Sequence, residues 1–245
     1  MYKFFLRGEK KMLRPVVDIL MTILLLLSMS YEMIGPAISE TLGKFLPFTF
    51  DGYEYGSVIH EILGTALIVL FFVHLWLNRW WLKTLFTGRY NLTRSILTLV
   101  NIILIADVIL ILESGLIMSR MFDELPFADG LMSFARSAHI SASFAGYVIM
   151  SFHIGLNWHI FSAMMFKRWK PGKILPHVIA AALMISGACA FIRRIIWAYM
   201  TLESSFVFFD FEEPFMFFIG DYIAVMILFA CLGHYMVLVL RKCKI

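Results

Sequence analysis

Long apolar stretches constrain this chain more than any other feature. A stretch of about 20 apolar residues spans the hydrocarbon core of a bilayer when it is helical. With 61% hydrophobic and only 16% charged residues among 245, the chain has more apolar surface than a soluble domain of this length can bury. We therefore predict an all-α, polytopic membrane protein, a single domain over residues 1–245. Its six predicted transmembrane helices are about 16–34, 58–77, 95–118, 137–164, 174–199 and 215–240.

The connections between these stretches alternate in charge. The N-terminal arm, the connections 78–94 and 165–173 and the C-terminal tail are rich in Lys and Arg, whereas 37–57, 119–136 and 201–214 carry acids. Loops rich in Lys and Arg stay in the cytoplasm, so we predict six spans with both termini cytoplasmic. The net charge of +4 follows from this placement. No basic stripe with interleaved aromatics indicates nucleic-acid binding.

The second and fourth stretches repeat one histidine pattern. His60 and His74 are 14 residues apart, as are His139 and His153, and both copies read His-x13-His-x3-Asn. Fourteen residues make nearly four helical turns, so both imidazoles of a copy lie near one face, about 21 Å apart along the axis. In the predicted topology both helices run inward, which puts His60 and His139 near the outer end and His74 and His153 deeper.

An imidazole in hydrocarbon is costly unless it is paired or coordinated. Two imidazoles at each of two levels, one from each helix, suit the axial positions of a haem held inside a bundle. Zinc would require four ligands at one level. Two axial histidines leave no site for oxygen, which favours electron transfer, and the absence of Cys-x-x-Cys-His argues against covalently attached haem. The alternative is that the histidines are hydrogen-bonded packing residues.

The segments "HEILG" at 60–64 and "FHIGLNWH" at 152–159 resemble the flavinylation-associated cytochrome family, mainly over residues 57–164. That family consists of small bacterial b-type cytochromes of the inner membrane. The resemblance implies two non-covalent b haems in a central four-helix bundle with a haem-binding core at about 57–164. It also implies that His60, His74, His139 and His153 are the iron ligands, and that electrons pass to an extracytoplasmic flavoprotein. The family often has a second histidine just after the inner ligand, where this chain has Asn157 and His159.

Other polar residues are candidates for supporting roles. Arg136 and Arg193 fall at the outer level of their stretches, where they would bind haem propionates or extend to lipid headgroups. Asp107 lies near the middle of the third stretch, where it would hold a proton, serve a quinol site or hydrogen-bond as a neutral acid. Three histidines have open roles: His159 as an alternative inner ligand or quinone contact, His177 at the interface and His234 near the inner cofactor.

The sequence thus favours a transmembrane cytochrome, acting alone or as the membrane subunit of an oxidoreductase. Its predicted donor is a quinol or a cytoplasmic reductant, and its predicted acceptor is an extracytoplasmic flavoprotein. Two other classes remain open. One is a proton-coupled transporter in which the histidines and Asp107 form a relay, and the other is a non-catalytic anchor that docks a peripheral redox enzyme.

Overall fold

The structure is a computed structural model that describes residues 2–31, 33, 52–119, 128–159 and 174–242. These residues form helices and turns, and none of them lies in a strand. Two predicted connections, 37–57 and 119–136, lie partly outside the described residues, and the connection 165–173 lies wholly outside them. The helices are α1 (Tyr2–Met29), α2 (Gly52–Leu77), α3 (Arg79–Thr84), α4 (Leu92–Met118), α5 (Ala128–Leu156), α6 (Leu175–Arg193), α7 (Ile196–Met200) and α8 (Phe215–Lys242).

Five of the described helices are long and apolar enough to cross a membrane. These spans are Ser57–Leu77, Leu92–Met118, Gly130–Leu156, Leu175–Arg193 and Phe215–Lys242. They correspond to the second through sixth predicted stretches, so the prediction of an all-helical, multi-pass membrane protein is confirmed. Helix α1 covers the first predicted stretch as far as Met29. The count of six spans stays a prediction.

The chain divides into two compact units. The first comprises Met1–Gly88 and Phe209–Ile219, and the second comprises Arg89–Phe208 and Gly220–Ile245. In the first unit α1 and α2 are antiparallel, because Asp18 contacts His74 whereas Ser28, farther along α1, contacts the earlier His60. Arg14 strengthens the same pair by donating a hydrogen bond of 2.8 Å to the carbonyl of Leu77.

Helix α5 is the centre of the second unit. Of its membrane-spanning stretch, 44% is buried, compared with 6% for α4 and 11% for α6. Helix α4 runs antiparallel to α5: Ser114 contacts His139, and Asp107 lies against Gly146. An apolar cluster of Val100, Leu156 and Val237 joins α4, α5 and α8 near the end of α5.

Small residues let α5 and α8 approach closely in parallel. A Cβ added at Gly155 would overlap the backbone of Ala230, and one at Gly233 would overlap the backbone of Phe152. Lipid tails are as apolar as the helices, so membrane helices associate through close van der Waals packing rather than through the hydrophobic effect. Glycine at a helix crossing lets the two backbones approach each other closely. The phenolic hydroxyl of Tyr147 donates to the backbone oxygen of Tyr222 and adds a polar contact to this interface.

The fifth predicted stretch is two helices rather than one. Helix α6 ends at Arg193, and Ile195 takes a left-handed conformation with φ 45° before α7 begins. The sequence has neither Gly nor Pro at this point, so periodicity alone predicts a continuous helix to 199. Tertiary contacts hold the turn: Ile196 and Tyr199 are buried, and the hydroxyl of Ser141 donates to the carbonyl of Met200 at 2.8 Å.

Candidate metal centre

The four histidines predicted as ligands are all described and all half-buried. His60 and His74 lie on α2 in the first unit, and His139 and His153 lie on α5 in the second unit. The pairing of His60 with His139 and of His74 with His153 stays a prediction. Within each unit, the neighbours of the rings are well defined.

The ring of His60 is held by the end of α1. Its Nδ1 lies 3.2 Å from the carbonyl oxygen of Ser28, and its centroid lies 4.3 Å from that of Tyr31. A carbonyl oxygen only accepts hydrogen bonds, so Nδ1 is the donor and carries the proton. In the neutral ring the lone pair is therefore on Nε2.

His74 meets a carboxylate instead of a carbonyl. Its Nδ1 lies 2.7 Å from Oδ1 of Asp18 on α1. An ionised carboxylate only accepts, so Nδ1 again carries a proton. The side-chain amide of Asn78 points its nitrogen at Nε2 over 3.4 Å, which agrees with a lone pair on that atom.

His139 has a hydroxyl partner on α4. Its Nδ1 lies 3.2 Å from Oγ of Ser114, and Gly115 leaves room beside the ring. The single hydroxyl proton of Ser114 is directed at the backbone, with 2.6 Å to the carbonyl of Leu110. The Oγ therefore accepts from Nδ1, and His139 has the same tautomer as His60.

The asparagine of the repeated pattern ends its helix in both copies. The side-chain nitrogen of Asn78 donates to the carbonyl of His74 at 2.9 Å, and that of Asn157 donates to the carbonyl of His153 at 3.0 Å. The backbone N–H of the same asparagine donates to the same carbonyl, at 3.0 Å in the first copy and 3.2 Å in the second, so each asparagine closes the last turn of its helix with two donors. The Asn in His-x3-Asn therefore has a structural role at the end of the helix, and the histidines are the candidate functional residues of the pattern.

These surroundings suit axial ligation. A histidine that binds a metal through one nitrogen almost always donates the other N–H to a carboxylate, a backbone carbonyl or water, which fixes the orientation of the ring. His60 and His74 have such acceptors, and His139 has a hydroxyl in the same position. A metal on Nε2 of His74 would displace the Asn78 amide, which lies 3.4 Å from that atom. The buried Oγ of Ser28 has no hydrogen-bond partner in the described part of the chain, which leaves a donor beside the His60 site. No cluster of three or more His, Cys, Asp or Glu side chains that would hold a metal ion occurs among the described residues.

The two predicted propionate partners have contacts within the second unit. The guanidinium of Arg136 lies 5.8 Å from the ring centroid of Phe206. Arg193 pairs with Asp221, its Nε 3.0 Å from Oδ2, and Arg194 lies 2.8 Å from the same oxygen. Propionate binding by Arg136 and Arg193 stays a prediction.

The remaining histidines are His159, His177 and His234, and each has a defined environment. Nδ1 of His177 is 2.9 Å from the hydroxyl of Tyr235, and the ring of His234 packs edge-on against Trp158. His159 follows the end of the span, where partial burial and then the nearby cation of Arg241 lower the pKa of its imidazole.

Two acids inside apolar helices, Asp18 and Asp221, are not among the site residues predicted from the sequence. Asp18 of α1 contacts His74, and Asp221 of α8 joins Arg193 and Arg194. The signal was available, because a carboxylate inside an apolar stretch indicates a functional or paired group. Ser114 carried no such signal, since serines are ordinary packing residues in membrane helices.

The fold and these contacts define a class: a multi-pass helical membrane protein with half-buried, hydrogen-bonded imidazoles inside its spans. Comparisons with protein-family models, with curated proteins and with solved structures find no match for this chain. The resemblance of residues 57–164 to flavinylation-associated cytochromes stays a prediction.

Proposed function

We propose that this protein is a bacterial inner-membrane cytochrome that passes electrons through two b haems. His60 and His139 ligate the outer haem, and His74 and His153 ligate the inner one. A quinol or a cytoplasmic reductant supplies the electrons, and an extracytoplasmic flavoprotein accepts them. Both termini are cytoplasmic, and the haems lie in a central four-helix bundle.

The observation that carries this proposal is the shared ring orientation of three histidines. His60, His74 and His139 each direct Nδ1 at an oxygen on the preceding long helix. A histidine that only packs in the core does not require this shared orientation. A histidine that holds a haem iron would require it, because its other nitrogen would have to keep a lone pair for the metal.

The haems supply the one-electron chemistry. The residues of the chain would do the rest: the imidazoles would hold the iron, and Ser28, Ser114 and Asp18 would keep the rings from rotating. Two histidines at each iron would leave no position for oxygen. The 14-residue spacing sets the levels about 21 Å apart along each helix, so the two sites lie toward opposite faces of the membrane.

Visible spectroscopy tests the proposal. The purified full-length protein, reduced with dithionite, should show b-type bands with two haems per chain. His60→Ala and His139→Ala should each remove one haem, and His74→Ala and His153→Ala the other. His177→Ala is the matched control, because this histidine lies outside the repeated pattern and should leave both haems in place. Absence of haem from the wild-type protein would refute the proposal.

A proton-coupled transporter is the second candidate, favoured by the contact between Asp18 and His74. An acid and an imidazole 2.7 Å apart can share a proton. This candidate expects pH-driven transport in proteoliposomes and no visible absorption. The spectrum described above separates the two functions.

A further inference from the structure

The three acceptors that hold the histidines differ in charge. His60 donates to the carbonyl of Ser28 and His139 to the hydroxyl of Ser114, both neutral, whereas His74 donates to the carboxylate of Asp18. We propose that Asp18 makes the His74 site the lower-potential of the two haem sites. Electrons then move downhill from the His74 level to the level of His60 and His139. This inference rests on the proposed function.

The physical reason is the effect of a carboxylate on an imidazole ligand. A carboxylate that accepts the Nδ1 proton increases the basicity of the ring, and a more basic ligand favours the oxidised metal. The negative charge also stabilises the ferric state directly by Coulomb attraction. Neutral acceptors such as a carbonyl and a hydroxyl have a smaller effect. The site with the carboxylate is therefore the harder one to reduce.

The position of Asp18 is fixed by the packing of α1 on α2. One turn before Asp18, Arg14 donates to the carbonyl of Leu77 at 2.8 Å, which anchors α1 beside the last turn of α2. The side chains of His74 and Asp18 are 26% and 40% exposed, so neither is fully buried. The direct contact of 2.7 Å transmits the effect of the carboxylate to the ring. Asp18 is a positioning residue that acts through His74.

This asymmetry gives the electron path a direction. In the predicted topology the His74 level faces the cytoplasm and the His60 level faces outward. A lower potential at the inner level makes outward transfer favourable. A flavoprotein on the outer face would then receive the electrons without an opposing step between the haems.

A potentiometric titration of the haem-loaded, full-length protein tests the proposal. The wild type should titrate in two steps, and Asp18→Asn should raise the lower potential and leave the upper one in place. Asp18→Glu, which keeps the charge, should restore most of the separation between the steps. Ser114→Ala is the control at the other level and should move only the upper step.

Each outcome separates the two proposals. A wild-type protein without haem refutes the proposed function. Two haems whose potentials are unchanged by Asp18→Asn, or a shift of the upper step instead, would overturn the role of Asp18. Loss of one haem from the Asp18→Asn protein would also overturn it, because Asp18 would then be needed for binding rather than for tuning. An Asp18→Glu protein with merged steps contradicts the proposal independently.

Discussion

Polar side chains within the apolar helices of this protein contact partners on neighbouring helices. His60 and His74 contact α1, and Asp221 of α8 contacts Arg193 and Arg194 at the end of α6. Unpaired, each of these groups would be costly in a bilayer. Such contacts therefore fix which helix faces are adjacent, in addition to any role in chemistry.

Asp221 gives the clearest prediction about stability, because its one carboxylate pairs with two guanidinium groups. Its side chain is 12% exposed, and that of Arg194 is 15% exposed. Asp221→Ala should lower the free energy of unfolding by about 2–3 kcal/mol, because a buried cation loses its partner. The measurement is the loss of folded protein on heating in detergent.

The two arginines provide matched controls for that experiment. The side chain of Arg193 is 62% exposed, so Arg193→Ala should cost less than about 1 kcal/mol. Arg194→Ala should cost more than Arg193→Ala. Equal effects of the two changes would show that burial does not decide the strength of this ion pair.

At the scale of helices, the turn between α6 and α7 stores backbone strain. Ile195 has φ 45°, a conformation that is rare for a β-branched residue. Ile195→Gly should raise the unfolding free energy by about 1 kcal/mol, because glycine adopts this conformation without steric cost. The loss of folded protein on heating in detergent measures this gain in stability.

Ile185 offers the comparison, because it is exposed in the interior of α6. Ile185→Gly should destabilise by about 1 kcal/mol, the ordinary cost of glycine inside a helix. If both changes destabilise the protein equally, the left-handed backbone of Ile195 does not lower the free energy of unfolding.

Close packing of α5 on α8 gives a second prediction for the helices. Gly155→Ala should destabilise by about 1–3 kcal/mol, because the new methyl group would overlap the backbone of Ala230, which cannot rotate away. Gly220→Ala in α8 is the control: nothing lies within 4 Å of its Cβ position, so alanine should gain about 0.5–1 kcal/mol. Thermal inactivation in detergent compares them, and a neutral Gly155→Ala would contradict the close approach.

At the scale of the molecule, each unit contains a histidine helix preceded by an antiparallel partner. In the first unit α1 supplies Ser28 to His60, and in the second α4 supplies Ser114 to His139. Both serines lie close to the end of their helix, since α1 ends at Met29 and α4 at Met118. The repeat in the sequence thus corresponds to a repeated helical hairpin.

The predicted topology is tested by reporter fusions. Fused after residue 245, green fluorescent protein should fluoresce and alkaline phosphatase should be inactive, because the predicted topology puts the C-terminus in the cytoplasm. Fused after residue 208, the phosphatase should be active. The reverse pattern at either position would refute the alternation of basic and acidic connections as the guide to orientation.

The sequence by itself determined that the protein is helical and multi-pass, where five of its spans lie, and which two helices carry the four histidines. It could do so because apolar length and helical spacing are local properties. It did not reveal the turn at Ile195, where buried contacts of α7 override a helical pattern. The hydrogen-bond partners of the rings were also beyond its reach, since Ser28, Asp18 and Ser114 are 32, 56 and 25 residues from the histidines they hold. Only packing decides which polar groups meet at such separations, and those contacts fix the ring orientation of His60, His74 and His139.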